Sequence, residues 1–126
     1  METMKQSILE KLERLAERLE EIDGLLGGES AARDMDGYRK LTRERSDILP
    51  AVELFQAFRA ASADFAGAGE MLDDPEMKEL ARAEQAAATE TMARLAQELQ
   101  RELLLAAEVR HGIDLIARSA APTASQ

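Results

Sequence analysis

Apolar residues return along the first part of the chain at alternating steps of four and three: Ile8, Leu12, Leu15, Leu19, Ile22 and Leu26. That heptad seam is the pattern of a helix packed lengthwise on a partner helix, and it predicts helix one over about residues 7–26. Ser7 with Glu10 makes a capping box, and Gly27-Gly28 ends the helix through the left-handed conformation open to glycine. A second seam runs through Tyr38, Leu41, Arg45, Ile48, Val52 and Phe55, starting after an N-cap at Asp34. A strict heptad would then reach Arg59. The apolar stripe moves instead to Phe58, Ser62 and Phe65, so two steps of three follow one another and the winding tightens locally.

Pro50 lies inside that second stripe, but the apolar phase passes through it unbroken. One helix over about residues 34–68, kinked near 46–50, follows from this; a break at Leu49 is the alternative, because the residue before proline avoids helical geometry. Met71-Leu72-Asp73-Asp74-Pro75-Glu76-Met77 is then a turn, with Asp74 as N-cap and Pro75 as first residue of helix three. Helix three is expected over about residues 75–117, with Met77, Leu80 or Ala81, Glu84, Ala88, Met92, Leu95, Leu99, Leu103, Ala106, Val109, Ile113 and Ile116 inward. Residues 119–126, small and polar, are expected as a disordered tail beyond a single helical domain over residues 1–118.

Short connections make successive helices antiparallel neighbours. The fold expected is therefore all-α: an elongated antiparallel three-helix coiled-coil bundle with a projecting two-helix hairpin. Its register sets Phe55 against Met92, Val52 against Leu95 and Ile48 against Leu99, and brings Arg45 opposite Glu102 as an ion pair. The alternative is that Arg45 extends to water. A tight first connection would lay helix one over residues 35–52 of helix two only.

Composition narrows the core. The chain has 126 residues, no Cys, no Trp, one Tyr and three Phe, so its core must be a seam of Leu, Ile, Met and Ala. The net charge of −9 speaks against DNA binding through a broad basic face. Arg39, Lys40, Arg43 and Arg45 form one local basic run, most simply read as a solvated helix face. The start of the chain has no signal-peptide pattern, and no apolar run approaches a membrane span. A cytoplasmic protein without membrane contact is expected.

Few residues suit chemistry. With no Cys and the single His111 beside Gly112, there is no Ser-His-Asp or Cys-His set to argue for, and no paired-His motif. Glu13, Glu17, Glu20 and Glu21 lie off the seam, and Asp73 with Asp74 is explained by capping. Neither glycine cluster has the spacing, lysine or strand of a phosphate loop. The residues therefore offer no catalytic, cofactor or metal site, and no enzyme is expected. Asp73, Asp74 and Pro75 are turn residues.

The turn and its flanks, Ala66-Gly67-Ala68-Gly69-Glu70-Met71-Leu72-Asp73-Asp74-Pro75-Glu76-Met77-Lys78-Glu79-Leu80-Ala81, resemble the N-terminal domain of the bacterial peptide chain release factor 1 family. Lys11-Leu12-Glu13-Arg14-Leu15, Glu20-Glu21-Ile22-Asp23-Gly24-Leu25-Leu26, Tyr38-Arg39-Lys40-Leu41-Thr42-Arg43-Glu44-Arg45 and Leu49-Pro50-Ala51-Val52 are similar to its first two helices. The likeness covers about residues 4–105, and the turn is its most specific part. It implies translation termination: full-length members read the stop codons UAG and UAA on the ribosome and trigger peptidyl-tRNA hydrolysis. Their N-terminal domain sits near the ribosomal stalk base and is implicated in contacts with the class II release factor. The family's Gly-Gly-Gln loop does not occur here, and Ala121-Pro122-Thr123 is not its codon-reading loop. The expectation is a non-catalytic chain: a truncated or frameshifted gene product, a single domain of a longer protein, or a stand-alone or truncated paralogue. The competing reading is a coiled-coil self-association or adaptor module, a homo-oligomer through helix three, because Val109, Ile113 and Ile116 prolong an apolar stripe.

Overall fold

A computed structural model describes residues 5–29 and 33–125, with side chains described as far as residue 104. Three long helices are described: α1, Gln6–Leu26; α2, Met35–Glu70; and α3, Lys78–Ser125. They pack side by side as an all-α bundle, with no strand among the described residues. Helix α2 lies between the other two. Its backbone approaches both, whereas α1 and α3 keep their Cα atoms more than 8 Å apart among the described residues.

The seam of α1 is the one its heptads predict: Leu12, Leu19 and Ile22 are buried, with Ile8, Leu15 and Leu26 half-buried between them. Its ends differ from expectation. The Lys5 carbonyl accepts from both Ile8 and Leu9 N–H (3.1 Å each), so the helix starts ahead of Ser7 and no side chain caps it. Gly27 keeps right-handed backbone angles, and its N–H returns to the Asp23 carbonyl at 3.1 Å. The α-helical hydrogen-bond pattern thus runs one step past Leu26, and no left-handed cap forms.

Helix α2 is a single element of 36 residues, ~54 Å long at 1.5 Å per residue, with Pro50 inside it. Pro50 and Ser46 are both exposed, so the carbonyl deprived of a partner by the proline lies on the wet face. Asp34 caps α2 as expected, its carboxylate accepting from Gly37 N–H at 3.0 Å. Buried Ala51, Phe55, Phe58, Ala61 and Ala68 trace the seam, with two successive steps of three between Phe55 and Ala61. Ser62 and Phe65, expected inward, are exposed; Ala61 takes that place because the steps of three through buried Val52, Phe55 and Phe58 continue for one more step.

On α3 the inward positions are Ala81, Gln85, Ala88, Met92, Leu95 and Leu99, a strict four-three alternation. Glu84 and Leu80 point outward, and Gln85 enters the seam instead, its amide donating to the Phe65 carbonyl across the hairpin at 3.4 Å. The helix begins at Lys78, not Pro75, and continues through Ser125 across the stretch expected to be a tail. Ala120, Ala121 and Ala124 favour a helix in that stretch, whereas Pro122 opposes one. The expected inward stripe of Val109, Ile113 and Ile116 lies outside the described side chains.

One apolar cluster joins the three helices: Leu12 from α1, Ala51, Phe55 and Phe58 from α2, and Leu95, Ala96 and Leu99 from α3. Helix one reaches further along α2 than a tight connection would allow. Gln6 and Leu9 share a depression with Phe58, Arg59 and Ser62, well beyond residue 52. The first turns of α2 consequently extend past the end of α1, which leaves Met35 and Tyr38 exposed.

Candidate functional site: the hairpin turn and the charged faces

Residues 71–77 turn the chain between α2 and α3 by stacked three-residue steps. Asp74 N–H donates to the Met71 carbonyl (3.2 Å), and Met77 N–H donates to the Asp74 carbonyl (3.0 Å). The Asp74 carboxylate accepts from Glu76 N–H at 3.0 Å, two residues on. Asp74 therefore braces the turn around Pro75 and does not cap a helix that starts there. Regular α-geometry follows only when Ala81 N–H reaches the Met77 carbonyl at 2.8 Å. Asp73 is exposed beside it. Below the turn, α2 and α3 line an open groove with small side chains such as Ala57, Ala60, Ala61, Ala87 and Ala88, and Asp64, Glu84 and Thr91 also line it.

The second feature is the charged contact of α1 with α2. Arg18 meets Glu44 along two edges, Nε to Oε2 at 2.6 Å and Nη2 to Oε1 at 2.8 Å, and also binds Glu21. Accepting these bonds holds the Glu44 carboxyl below its ordinary value; partial desolvation opposes this and the Arg18 charge adds to it. The Arg18 guanidinium is held above its ordinary value, first by the bond to Glu44.

Arg45 donates from Nε to Asp23 Oδ1 at 2.6 Å. The pair expected with Glu102 is therefore replaced by one to the other neighbouring helix, because α1 lies far enough along α2 to bring Asp23 within reach. Arg39, Lys40 and Arg43 are exposed and share a shallow depression with Asp36, Glu44 and Asp47, so the basic run is interleaved with acids. Sequence reasoning missed the Arg18–Glu44 pair; the run of acids and bases in both segments was visible, but the offset that selects partners was not.

No group of acids, His or Cys could hold a metal ion among the described residues. No polar side chain is buried without a partner among them either. No described helix is long and apolar enough to cross a membrane. Among the described residues the arrangement presents an open groove, a braced turn and charged helix faces.

The PCRF domain family matches residues 15–113. The chain is 52% identical over 101 residues to peptide chain release factor 1 of Polynucleobacter necessarius subsp. necessarius, and 50% identical over 101 residues to that of Polynucleobacter asymbioticus. Each match covers 80% of this chain and 28% of the relative, so the chain spans under a third of their length. No solved structure matches it.

Proposed function

The chain belongs to the PCRF domain family, and from that membership we propose that it acts in translation termination as a non-catalytic, release-factor-1-like N-terminal helical domain that contacts the ribosome near the stalk base. The observation that carries this reading is the family match, which runs from within α1 through α2 and the turn to residue 113 of α3. The turn supports it: a braced, exposed loop at the end of a rigid hairpin can present itself to a partner without reorganising. The helices act as a coiled-coil scaffold in the cytoplasm, with the class II release factor as a further partner and with neither DNA binding nor enzymatic activity of their own.

Co-sedimentation of the whole chain with purified ribosomes tests the reading. Saturable pelleting that weakens when Asp74 and Pro75 are both replaced by alanine is the expected result. Failure of the chain to pellet at any ribosome concentration overturns it.

A second reading, self-association as an adaptor module, is favoured by one observation. Leu25, late in α1, and Met35 and Tyr38, early in α2, are each exposed large apolar side chains. Sedimentation velocity over a wide concentration range separates the two readings, since a monomer at every concentration removes self-association.

A further inference from the structure

Both halves of α1 bury apolar side chains against the bundle, but only the C-terminal half adds ion pairs to them. The N-terminal half enters the shared apolar cluster through Leu12, with Ile8, Leu9, Leu15 and Ala16 packed around it. Leu19 and Ile22 are also buried but lie outside that cluster. Along the C-terminal half, the α2 residues Leu41, Glu44, Arg45 and Ile48 are only half-buried. What ties this half down besides Leu19 and Ile22 is charge: Arg18 on Glu44 and Glu21, and Arg45 on Asp23. The side chains of Arg18, Glu44, Arg45 and Asp23 are between about a third and a half exposed, so dissolved ions reach them.

The local sequence also disfavours this half as a free helix. Its last turn has no basic residue, while Glu20, Glu21 and Asp23 put negative charge near the negative end of the helix dipole. Gly24 lowers helix propensity in the same turn. A segment that is a poor helix alone, docked on one neighbour and pinned by exposed ion pairs belongs to the low-stability end of a fold.

We propose that residues 18–26 form a salt-sensitive arm, which opens from α2 by release of the Arg18–Glu44 and Arg45–Asp23 pairs while the Leu12 end and the α2–α3 hairpin stay packed. Opening uncovers the Leu41–Ile48 side of α2. The arm is a conformational device set by ionic environment, and it operates without unfolding the cluster around Phe55.

Hydrogen exchange of the whole chain, read by mass spectrometry at about 0.02 M and about 1 M salt, tests this, because the screening length falls to ~3 Å at the higher value. Amides of residues 18–26 should exchange roughly three- to tenfold faster at high salt, the scale of exposed ion pairs acting together. Amides of residues 81–99 should stay constant or slow, since salt screens the self-repulsion of an acidic chain. E44Q, which keeps the side chain's size and removes its charge, should give the fast exchange already at low salt and respond less to added salt. Exchange of residues 18–26 that is independent of salt, or that tracks residues 81–99 in both conditions, overturns the proposal.

Discussion

Arg45 of α2 binds Asp23 of α1 through Nε at 2.6 Å, reaching back across the first connection and not forward to α3. The pair is exposed, so its coupling should be modest. In a double-mutant cycle with Asp23→Ala and Arg45→Ala, we expect a coupling of ~0.2–1 kcal/mol from urea unfolding. The cycle of Arg45→Ala with Glu102→Ala should be additive within ~0.3–0.5 kcal/mol. A larger coupling to Glu102 than to Asp23 would contradict the observed pairing.

The centre of the bundle is more demanding. Leu12 and Leu99 are fully buried, and both belong to the cluster built on Phe55. Leu12→Ala or Leu99→Ala should each destabilise by about 2–5 kcal/mol, and Phe55→Ala by about 3–5 kcal/mol. Leu80, 51% exposed, should change stability by no more than ~0.5 kcal/mol when cut to alanine. Urea midpoints followed by helical circular dichroism separate these classes directly.

Much of this was legible because heptads constrain a helix strongly. The α1 seam could be read residue by residue, since Leu12, Leu19 and Ile22 leave no other apolar face. On α3 the sequence offers Glu84 and Gln85 at neighbouring positions, both polar, so hydrophobicity could not choose between them. Stepping back from Leu99 by alternating fours and threes, through Leu95, Met92 and Ala88, selects Gln85, as the structure does. The offset of α1 was not legible. It depends on the path between Leu26 and Met35, which carries no apolar pattern, and every α1–α2 ion pair depends on it.

Small residues recur along the facing sides of α2 and α3, with Ala61, Ala68, Ala81 and Ala88 buried there. Ala81 is fully buried, whereas Ala87 is exposed on the same helix. Ala81→Leu should destabilise by about 1–3 kcal/mol through overpacking. Ala87→Leu should be near neutral, within ~0.5 kcal/mol. Equal effects in thermal or urea unfolding would show that the interface is looser than the buried heptad implies.

Acid should weaken the α1–α2 contact through Glu44. Its carboxyl titrates below the ordinary 4.5 in the folded chain, so the folded state binds fewer protons than the unfolded state as this group titrates. The stabilisation is complete above about that ordinary value and is lost as pH falls through the lower folded value. Urea midpoints of the wild type should therefore fall more steeply than those of Glu44→Gln as pH drops below 4.5. Parallel curves would remove Glu44 from the acid response. Arg18 stays charged throughout this range and adds no pH dependence of its own.

The turn between α2 and α3 makes the sharpest distinction between two adjacent acids. Asp74 supplies two acceptors: its carboxylate takes Glu76 N–H, and its carbonyl takes Met77 N–H. Replacing it by alanine removes only the first, leaving the backbone step intact. The lost bond is exposed, so water partly replaces it, and Asp74→Ala should cost about 0.5–1 kcal/mol, the lower part of the range for such side-chain caps. Asp73 is exposed, and its alanine variant should stay within ~0.5 kcal/mol of the wild type. Asp74→Asn should recover most of the loss, because its side-chain oxygen can accept the same N–H without the charge. Were asparagine to behave like alanine, negative charge near the start of α3 would be the operative factor, and the bond to Glu76 N–H would be incidental.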